Sequence, residues 1–142
     1  MARSRTTLAL EVMDDLLLSV SVAGTTDGGV LGNEDIDRLM ASLRSEKVRI
    51  YMAGFIGSAG STAVQRKEGA ELIRSRSIPV AVVTDDRIVR GFVTAVSWIG
   101  ANVSAFSWSK SNNALAFLAV AEERRASITQ AFNRMRDQLV AD

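Results

Sequence analysis

A glycine-rich turn with three hydroxyl side chains is the part of this sequence best suited to chemistry. In GFIGSAGSTAVQRKEG (54–69), Gly54, Gly57 and Gly60 recur every third residue, and two serines and a threonine lie among them. Such a turn, placed before a helical pattern, can hold a phosphate on free backbone amides or receive one on a hydroxyl. It matches neither G-x-G-x-x-G nor the P-loop, because Gly60 is followed by Ser61-Thr62 and not by the Lys-Ser/Thr pair that closes a P-loop. The pattern therefore gives little support to nucleotide hydrolysis.

The same turn also has a purely structural interpretation. Glycine permits a tight passage from strand to helix, and Thr62-x-x-Gln65 is a capping box for the helix that follows. The candidate phosphoacceptors are Ser58, Ser61 and Thr62. Both interpretations remain open at the level of the sequence.

The composition removes most of the usual catalytic machinery. The chain has 142 residues with no cysteine and no histidine, which excludes thiol nucleophiles, histidine-based triads and zinc sites with histidine ligands. A general base would have to be Asp, Glu, Lys or the only tyrosine, Tyr51, which lies in an apolar run. We therefore expect a protein that is not an enzyme, with no catalytic residue, no metal and no cofactor.

Charge and hydropathy limit the kinds of partner. The formal net charge is +1, from 17 basic and 16 acidic residues, far from the basic excess of a nucleic-acid-binding protein. No apolar run approaches the ~18 residues of a membrane span, and no apolar stretch of signal-peptide length follows the opening MARSRTT. We expect a cytoplasmic protein that binds no nucleic acid and has no membrane span.

The hydropathy pattern predicts one α/β domain, residues 1–142. Apolar residues alternate over 8–12 and 16–22 with two aspartates between them, which is typical of an antiparallel hairpin. Three short apolar runs then alternate with two helical stretches, in the order 49–57, 62–75, 79–83, 87–99 and 103–106. This order predicts βαβ crossovers, and hence a mixed sheet with an antiparallel hairpin first, parallel strands after it and helices covering it.

The end of the sequence is predicted to be helical as well. Ser111 is a plausible cap for NALAFLAVAEE (113–123), and Ser127-x-x-Gln130 is a capping box that makes residues 127–142 a separate helical extension. This extension has an apolar stripe of Ile128, Phe132, Met135 and Leu139. The stripe is expected to pack either on the domain or on a second copy. Its length favours the second copy, which would make a homodimer through the C-terminal helix.

If the parallel strands adjoin, the loops that follow them share one edge of the sheet. Free amides at the start of the helix after the glycine-rich turn suit an anion, and nearby arginines add positive charge. Of Asp85 and Asp86, one is expected to cap the next helix rather than carry out acid–base chemistry, and Trp98 and Trp108 are expected to be packing residues. The predicted partner-binding or anion-binding rim consists of Gly57, Ser58, Gly60, Ser61, Thr62, Arg66, Asp85, Arg87 and Arg90.

The chain resembles the STAS superfamily, and within it the SpoIIAA-like, anti-sigma factor antagonist-like domains. The resemblance rests on the order of strands and helices, on GSAG (57–60) and on PVAVVTDDRIVRGFVTAVSW (79–98). It implies a small α/β domain in which a kinase phosphorylates a serine at a helix start and so switches binding to an anti-sigma factor. The family motif reads Asp-Ser-Ser-Gly with the acceptor directly before the glycine; here Gly57 stands for the aspartate and Ala59 for the acceptor, and Ser58 matches the serine between them.

The sequence is consistent with two functions. The first is a non-catalytic bacterial regulatory module that docks a protein partner, an anti-sigma factor or a kinase-like regulator, through the rim around 58–62. The alternative is a module that binds a small anionic or amphipathic ligand at the same rim.

Overall fold

The first two strands form the antiparallel hairpin that the alternation predicts. In the computed structural model, which describes residues 4–141, β1 (Thr7–Met13) and β2 (Leu16–Val22) pair throughout. Asp14 adopts a left-handed conformation at the turn, with φ of 56°, which aspartate tolerates better than most residues. The two aspartates are therefore the turn, as expected.

Helices and strands then alternate along the chain. The elements are α1 (Asn33–Arg44), β3 (Ile50–Ile56), α2 (Ala63–Ser75), β4 (Val80–Val83), α3 (Arg87–Trp98), β5 (Val103–Phe106), a short 3-10 helix (Trp108–Lys110), α4 (Ser111–Phe117) and α5 (Glu122–Ala141). The strands lie in the order β1-β2-β3-β4-β5, and every pair after the hairpin is parallel. The predicted α/β fold with a mixed sheet is confirmed.

Helices cover both faces of the sheet. Successive side chains along each strand point to opposite faces, so the domain has two separate hydrophobic cores. On the face that we call the front, helices α1, α2 and α3 pack over side chains such as Leu17, Tyr51 and Val82. On the opposite face, the back, α4 and α5 pack over Leu18 and Met52. The interior strand β4 is buried along its whole length, because each of its sides meets a layer of helices.

The C-terminal helix begins earlier than the capping-box pattern predicts. The chain leaves the helical conformation after α4, where Ala119 has φ of 59°, and α5 starts at Glu122 rather than at Ser127. Ser111 lies inside α4 and makes no side-chain cap. The last residue of the predicted extension, 142, lies outside the described residues.

The apolar stripe of α5 packs on the chain's own sheet. Ile128, Phe132 and Met135 are buried in the back-face core, and Leu139 is half-buried against it. The sequence allowed the stripe to pack on the domain or on a second copy, and in the structure it packs on the domain. A second copy would have to meet α5 through its outward side.

A glycine in β3 allows two aromatic rings to stack on the back of the sheet. A Cβ atom at Gly54 would lie 2.6 Å from the ring of Phe132 and 2.7 Å from that of Trp108. These rings stack with their centroids 5.0 Å apart, and the Trp108 Nε1–H donates to the carbonyl of Phe55 over 3.0 Å. Gly54 is therefore a packing residue, whereas Gly57, with φ of 72°, makes the turn.

Gly54→Ala should lower the free energy of unfolding by about 1–3 kcal/mol, because the new methyl must displace buried ring atoms. Gly69→Ala is the matched control: it lies in α2 with no heavy atom within 4 Å of the added Cβ, and it should raise stability by about 1 kcal/mol through helix propensity. Urea unfolding followed by circular dichroism measures both. Equal stabilities of the two variants would contradict this account of Gly54.

Candidate binding site at the carboxyl edge of the sheet

The loops after β3, β4 and β5 meet at one edge of the sheet and are joined by hydrogen bonds. The hydroxyl of Ser58 donates to Asp86 Oδ2 over 2.7 Å. Arg90 donates to the hydroxyl of Ser107 over 3.0 Å and to the carbonyl of Thr84 over 3.1 Å. The parallel order of the strands thus brings together the loops that the sequence placed on one rim.

Asp86 caps α3, as the sequence predicted for one of the two aspartates. Its Oδ1 accepts from the amides of Ile88 and Val89 at 2.9 and 3.1 Å, while Oδ2 accepts from Ser58. The hydrogen bond from Ser58, followed by that from Val89, holds the pKa of Asp86 below its ordinary value of 3.8. Asp85 instead accepts from the Trp108 amide over 3.3 Å, so the two carboxylates have different hydrogen-bond partners.

The start of α2 carries the predicted capping box. Thr62 Oγ1 accepts from the Gln65 amide over 3.2 Å, and Gln65 Oε1 accepts from the Thr62 amide over 2.9 Å. Within residues 4–141, the amides of Ala63 and Val64 have no hydrogen-bond acceptor. These two backbone N–H groups lie at the positive end of the helix dipole and are free to donate to a ligand at the rim.

The three arginines predicted for the rim have different environments. Arg90 is held by protein acceptors, as described above. Arg87 is exposed at the start of α3. Arg66 is half-buried: its Nη1 donates to the carbonyl of Ser61, and its guanidinium lies 4.3 Å from the centroid of the Phe92 ring. Arg66 therefore joins the start of α2 to α3 and keeps further N–H donors for a ligand.

Next to Arg66 lies a cavity that the sequence analysis missed. It has a volume of about 210 Å³ and lies between the front of the sheet and the helices α1, α2 and α3. Its walls are apolar and include Leu39, Met40, Phe55, Ile73, Val82 and Val93. Ser61, Gln65 and Arg66 lie at one end, and Arg66 is the one charged side chain among the described lining residues.

Small side chains explain why this space is not filled. Gly69 and Ala70 of α2 both line the cavity, and Ala59 and Gly60 line it at the turn before that helix. A Cβ at Gly69 would meet no heavy atom within 4 Å. The signal in the sequence is the Gly-Ala pair in the middle of an otherwise regular helix, where a larger residue would fill the gap.

Tyr51 lines the cavity but does not offer a base. Its hydroxyl forms a 2.7 Å hydrogen bond with the hydroxyl of Ser19. Burial raises the pKa of Tyr51 to about 12, since the phenolate form would lose its hydration. The side chain is therefore neutral near neutral pH and contributes shape and a polar contact with Ser19.

The two tryptophans differ from the expectation that both are packing residues. Trp108 stacks on Phe132 at the back of the sheet. Trp98, at the end of α3, is 82% exposed. The expectation is wrong for Trp98, because it lies on the side of α3 that faces away from the sheet.

A scan against protein-family models and a search of curated proteins found no match for this chain. Among residues 4–141, no three His, Cys, Asp or Glu side chains gather in a way that would hold a metal ion. Over the same range, none of the helices combines the length and the apolar character needed to cross a bilayer.

Ser58→Ala should raise the pKa of Asp86 toward 3.8, because the hydrogen bond that most favours the ionised carboxylate is lost. A carboxylate whose folded pKa is lowered stabilises the fold above its unfolded pKa, and this contribution is lost as the pH falls through the folded pKa. As the pH falls, the Ser58→Ala variant should therefore lose the stabilising contribution of the ionised Asp86 at a higher pH than the wild type. Carbon-detected NMR titration of the Asp86 carboxyl measures the shift.

Ser61→Ala is the control for this titration, because no hydrogen bond joins Ser61 to Asp86 in the described structure. In the Ser61→Ala variant, the Asp86 carboxyl should titrate at the same pH as in the wild type. An Asp86 carboxyl that titrates at the same pH in wild type and Ser58→Ala would contradict the assigned cause.

Proposed function

We propose that this chain is a non-catalytic binding module for a small amphipathic ligand with an anionic group. The observation that carries the proposal is the apolar cavity of about 210 Å³ with Arg66 at one end. An apolar protein cavity of about 150 Å³ is enough to bind benzene. The ligand's apolar part is therefore a short aliphatic chain or a single ring, and its charged group lies at the rim.

The proposed position of the anionic group follows from the donors at the start of α2. The free amides of Ala63 and Val64 and the guanidinium of Arg66 lie together there, and the helix dipole favours negative charge at the same place. Binding through these donors needs no lysine of the P-loop type. A carboxylate, sulfate or phosphate head has the matching charge and acceptors.

The energetics of the cavity favour an occupant. Side chains that line unfilled apolar space lack packing partners on one side. An apolar group that fills it restores lost dispersion contacts and keeps its own surface away from water. Ligand binding should therefore stabilise the folded chain measurably.

The lining residues suit binding rather than turnover. The Arg66 guanidinium has N–H donors and no hydrogen-bond acceptor, and the Tyr51 pKa of about 12 keeps that residue neutral. Neither group is a general base near neutral pH. A cytoplasmic location, expected from the sequence, is part of the same proposal.

Octanoate is the probe for this proposal, because it joins a flexible apolar tail to a carboxylate. We expect octanoate to raise the melting temperature and to give saturable heat in titration calorimetry. Octan-1-ol, which has the same tail, should bind more weakly, and acetate, which has the same head, should not bind measurably. An absence of octanoate binding up to tens of millimolar by order of magnitude would overturn the proposal.

Two variants separate the tail site from the head site. Gly69→Leu should fill the cavity and weaken octanoate and octanol alike, by at least about tenfold. Arg66→Gln should weaken octanoate by about tenfold and leave octanol nearly unchanged. Ala126→Leu, which adds the same side chain on an exposed position of α5, is the control. Wild-type octanoate affinity in Gly69→Leu would show that the ligand does not occupy this cavity.

A second candidate is the regulatory docking module that the STAS resemblance implies, with an anti-sigma factor or a kinase-like regulator as partner. The observation that favours it is the exposed Ser58, whose hydroxyl contacts the carboxylate that caps α3. A phosphate on Ser58 would stand against Asp86 and repel it. Modification of the rim would thus act directly on the start of α3.

This candidate has its own test. Phosphosite mapping of the protein from its native cells should find phosphate on Ser58 rather than on Thr62, whose hydroxyl is held in the cap. Ser58→Glu should speed hydrogen exchange at Ile88 and Val89 more than Ser58→Ala does. Equal exchange in the two variants would count against the switch. A homodimer through α5 stays a prediction, and light scattering of the full chain at high concentration tests it.

A further inference from the structure

The outward side of α3 is apolar along its whole length. Four large side chains on it are strongly exposed: Trp98 at 82%, Ile88 at 60%, Ile99 at 57% and Phe92 at 42%. Gly91 and Ala95 lie between them and are exposed too. These six residues recur at helical spacing and form one continuous strip of about 18 Å, which we call the α3 stripe. Exposed apolar surface of this extent marks an interaction site.

Arginines lie beside the α3 stripe. Arg87 lies in the first turn of α3, where Asp86 caps the helix and Asp85 precedes it, whereas Arg90 is directed to Thr84 and Ser107 at the edge of the sheet. From the neighbouring helix α2, Arg66 stacks on Phe92 and Arg74 donates to the carbonyl of Ile99 over 3.3 Å. Although α2 also carries Glu68 and Glu71, none of these arginines forms an ion pair within residues 4–141. An arginine without an ion pair thus lies beside each end of the stripe, and at the first end the carboxylates of Asp85 and Asp86 lie near it.

We propose that the α3 stripe docks on the surface of an anionic lipid bilayer. A helix with an apolar strip and basic flanks lies in the boundary between headgroups and acyl chains, with its apolar side chains inserted. Tryptophan prefers that boundary because its ring is apolar and its N–H is polar, and Trp98 is the most exposed apolar residue of the stripe. The arginines are attracted by the negative surface potential.

The same charges argue against a second copy of the chain as the occupant. Two copies that met through their α3 stripes would bring Arg66, Arg74 and Arg87 of both toward one interface, where the nearest carboxylates of α3 are confined to its start, at Asp85 and Asp86. Like charges facing each other across an interface are unfavourable. An anionic surface supplies the opposite charge to Arg66, Arg74 and Arg87.

The inference goes beyond the proposed ligand site and needs no ligand in the cavity. The two features share one residue, since Phe92 belongs to the stripe and also lines the cavity. A docked α3 would place one wall of the cavity at the membrane. That is where a molecule with an apolar tail and an anionic head is concentrated.

Vesicle co-sedimentation of the full chain tests the proposal. We expect binding to vesicles of phosphatidylcholine with one quarter phosphatidylserine, at low salt, and a loss of at least about tenfold with pure phosphatidylcholine because the attraction to several arginines is removed. Trp fluorescence should shift to the blue on binding, and Trp98→Phe should abolish most of that shift. Gly69→Leu, which fills the cavity, should bind vesicles like the wild type, which separates this inference from the ligand site.

Variants at exposed positions test the stripe itself. Ile88→Ser combined with Trp98→Ser should lower vesicle partitioning by about tenfold or more, and Arg87→Gln by about fivefold. Gly91→Leu enlarges the stripe at a position with nothing within 4 Å of its Cβ and should strengthen binding, while it stays in the supernatant when no vesicles are present. Val140→Ser, at an exposed apolar residue of α5, is the matched control and should change nothing.

Several outcomes would overturn the proposal. Wild-type protein that stays in the supernatant with anionic vesicles would do so, as would equal binding to pure phosphatidylcholine. Partitioning of the Ile88→Ser, Trp98→Ser variant at the wild-type level would also contradict it. Self-association that Trp98→Ser abolishes, without vesicle binding, would assign the stripe to a second copy instead.

Discussion

The structure depends on one constraint, which is that a parallel sheet must be covered on both faces. Four of the five strands are parallel neighbours, and the strand β4 in particular has no polar side to turn toward water. The chain meets this constraint with crossover helices α1, α2 and α3 on the front and with α4 and α5 on the back. The tight core on the back and the cavity on the front both follow from how closely each layer of helices packs against the sheet.

The two layers fit differently. On the back, Phe132 is fully buried and stacks on Trp108 across the space left by Gly54, so the packing there is tight. On the front, α2 presents Gly69 and Ala70 to the sheet and leaves an apolar cavity. Tight packing on one face makes the sheet a rigid base, and incomplete packing on the other leaves room for a ligand.

Polar contacts tie the front layer together at the edge of the cavity. Asp86 fixes the start of α3 and contacts Ser58 in the turn before α2, and Arg66 of α2 packs on Phe92 of α3. The candidate anion site, the cavity and the α3 stripe are therefore neighbours on one side of the molecule. A ligand, a phosphate or a membrane that contacts one of them would act on the same helix, α3.

The sequence by itself determined the hairpin, the order of strands and helices, the cap at Thr62 and a cap at one of Asp85 and Asp86, because local hydropathy period and side-chain-to-backbone bonds decide these features. It also placed the loops of the rim on one edge, since parallel strands leave no other arrangement. Only the tertiary structure decided that Gly54 serves ring stacking, that the stripe of α5 packs on the domain and that Trp98 faces away from the sheet. The cavity belongs to the same group, because its volume depends on the distance between α2 and the sheet, and that distance is set by packing among residues far apart in the chain.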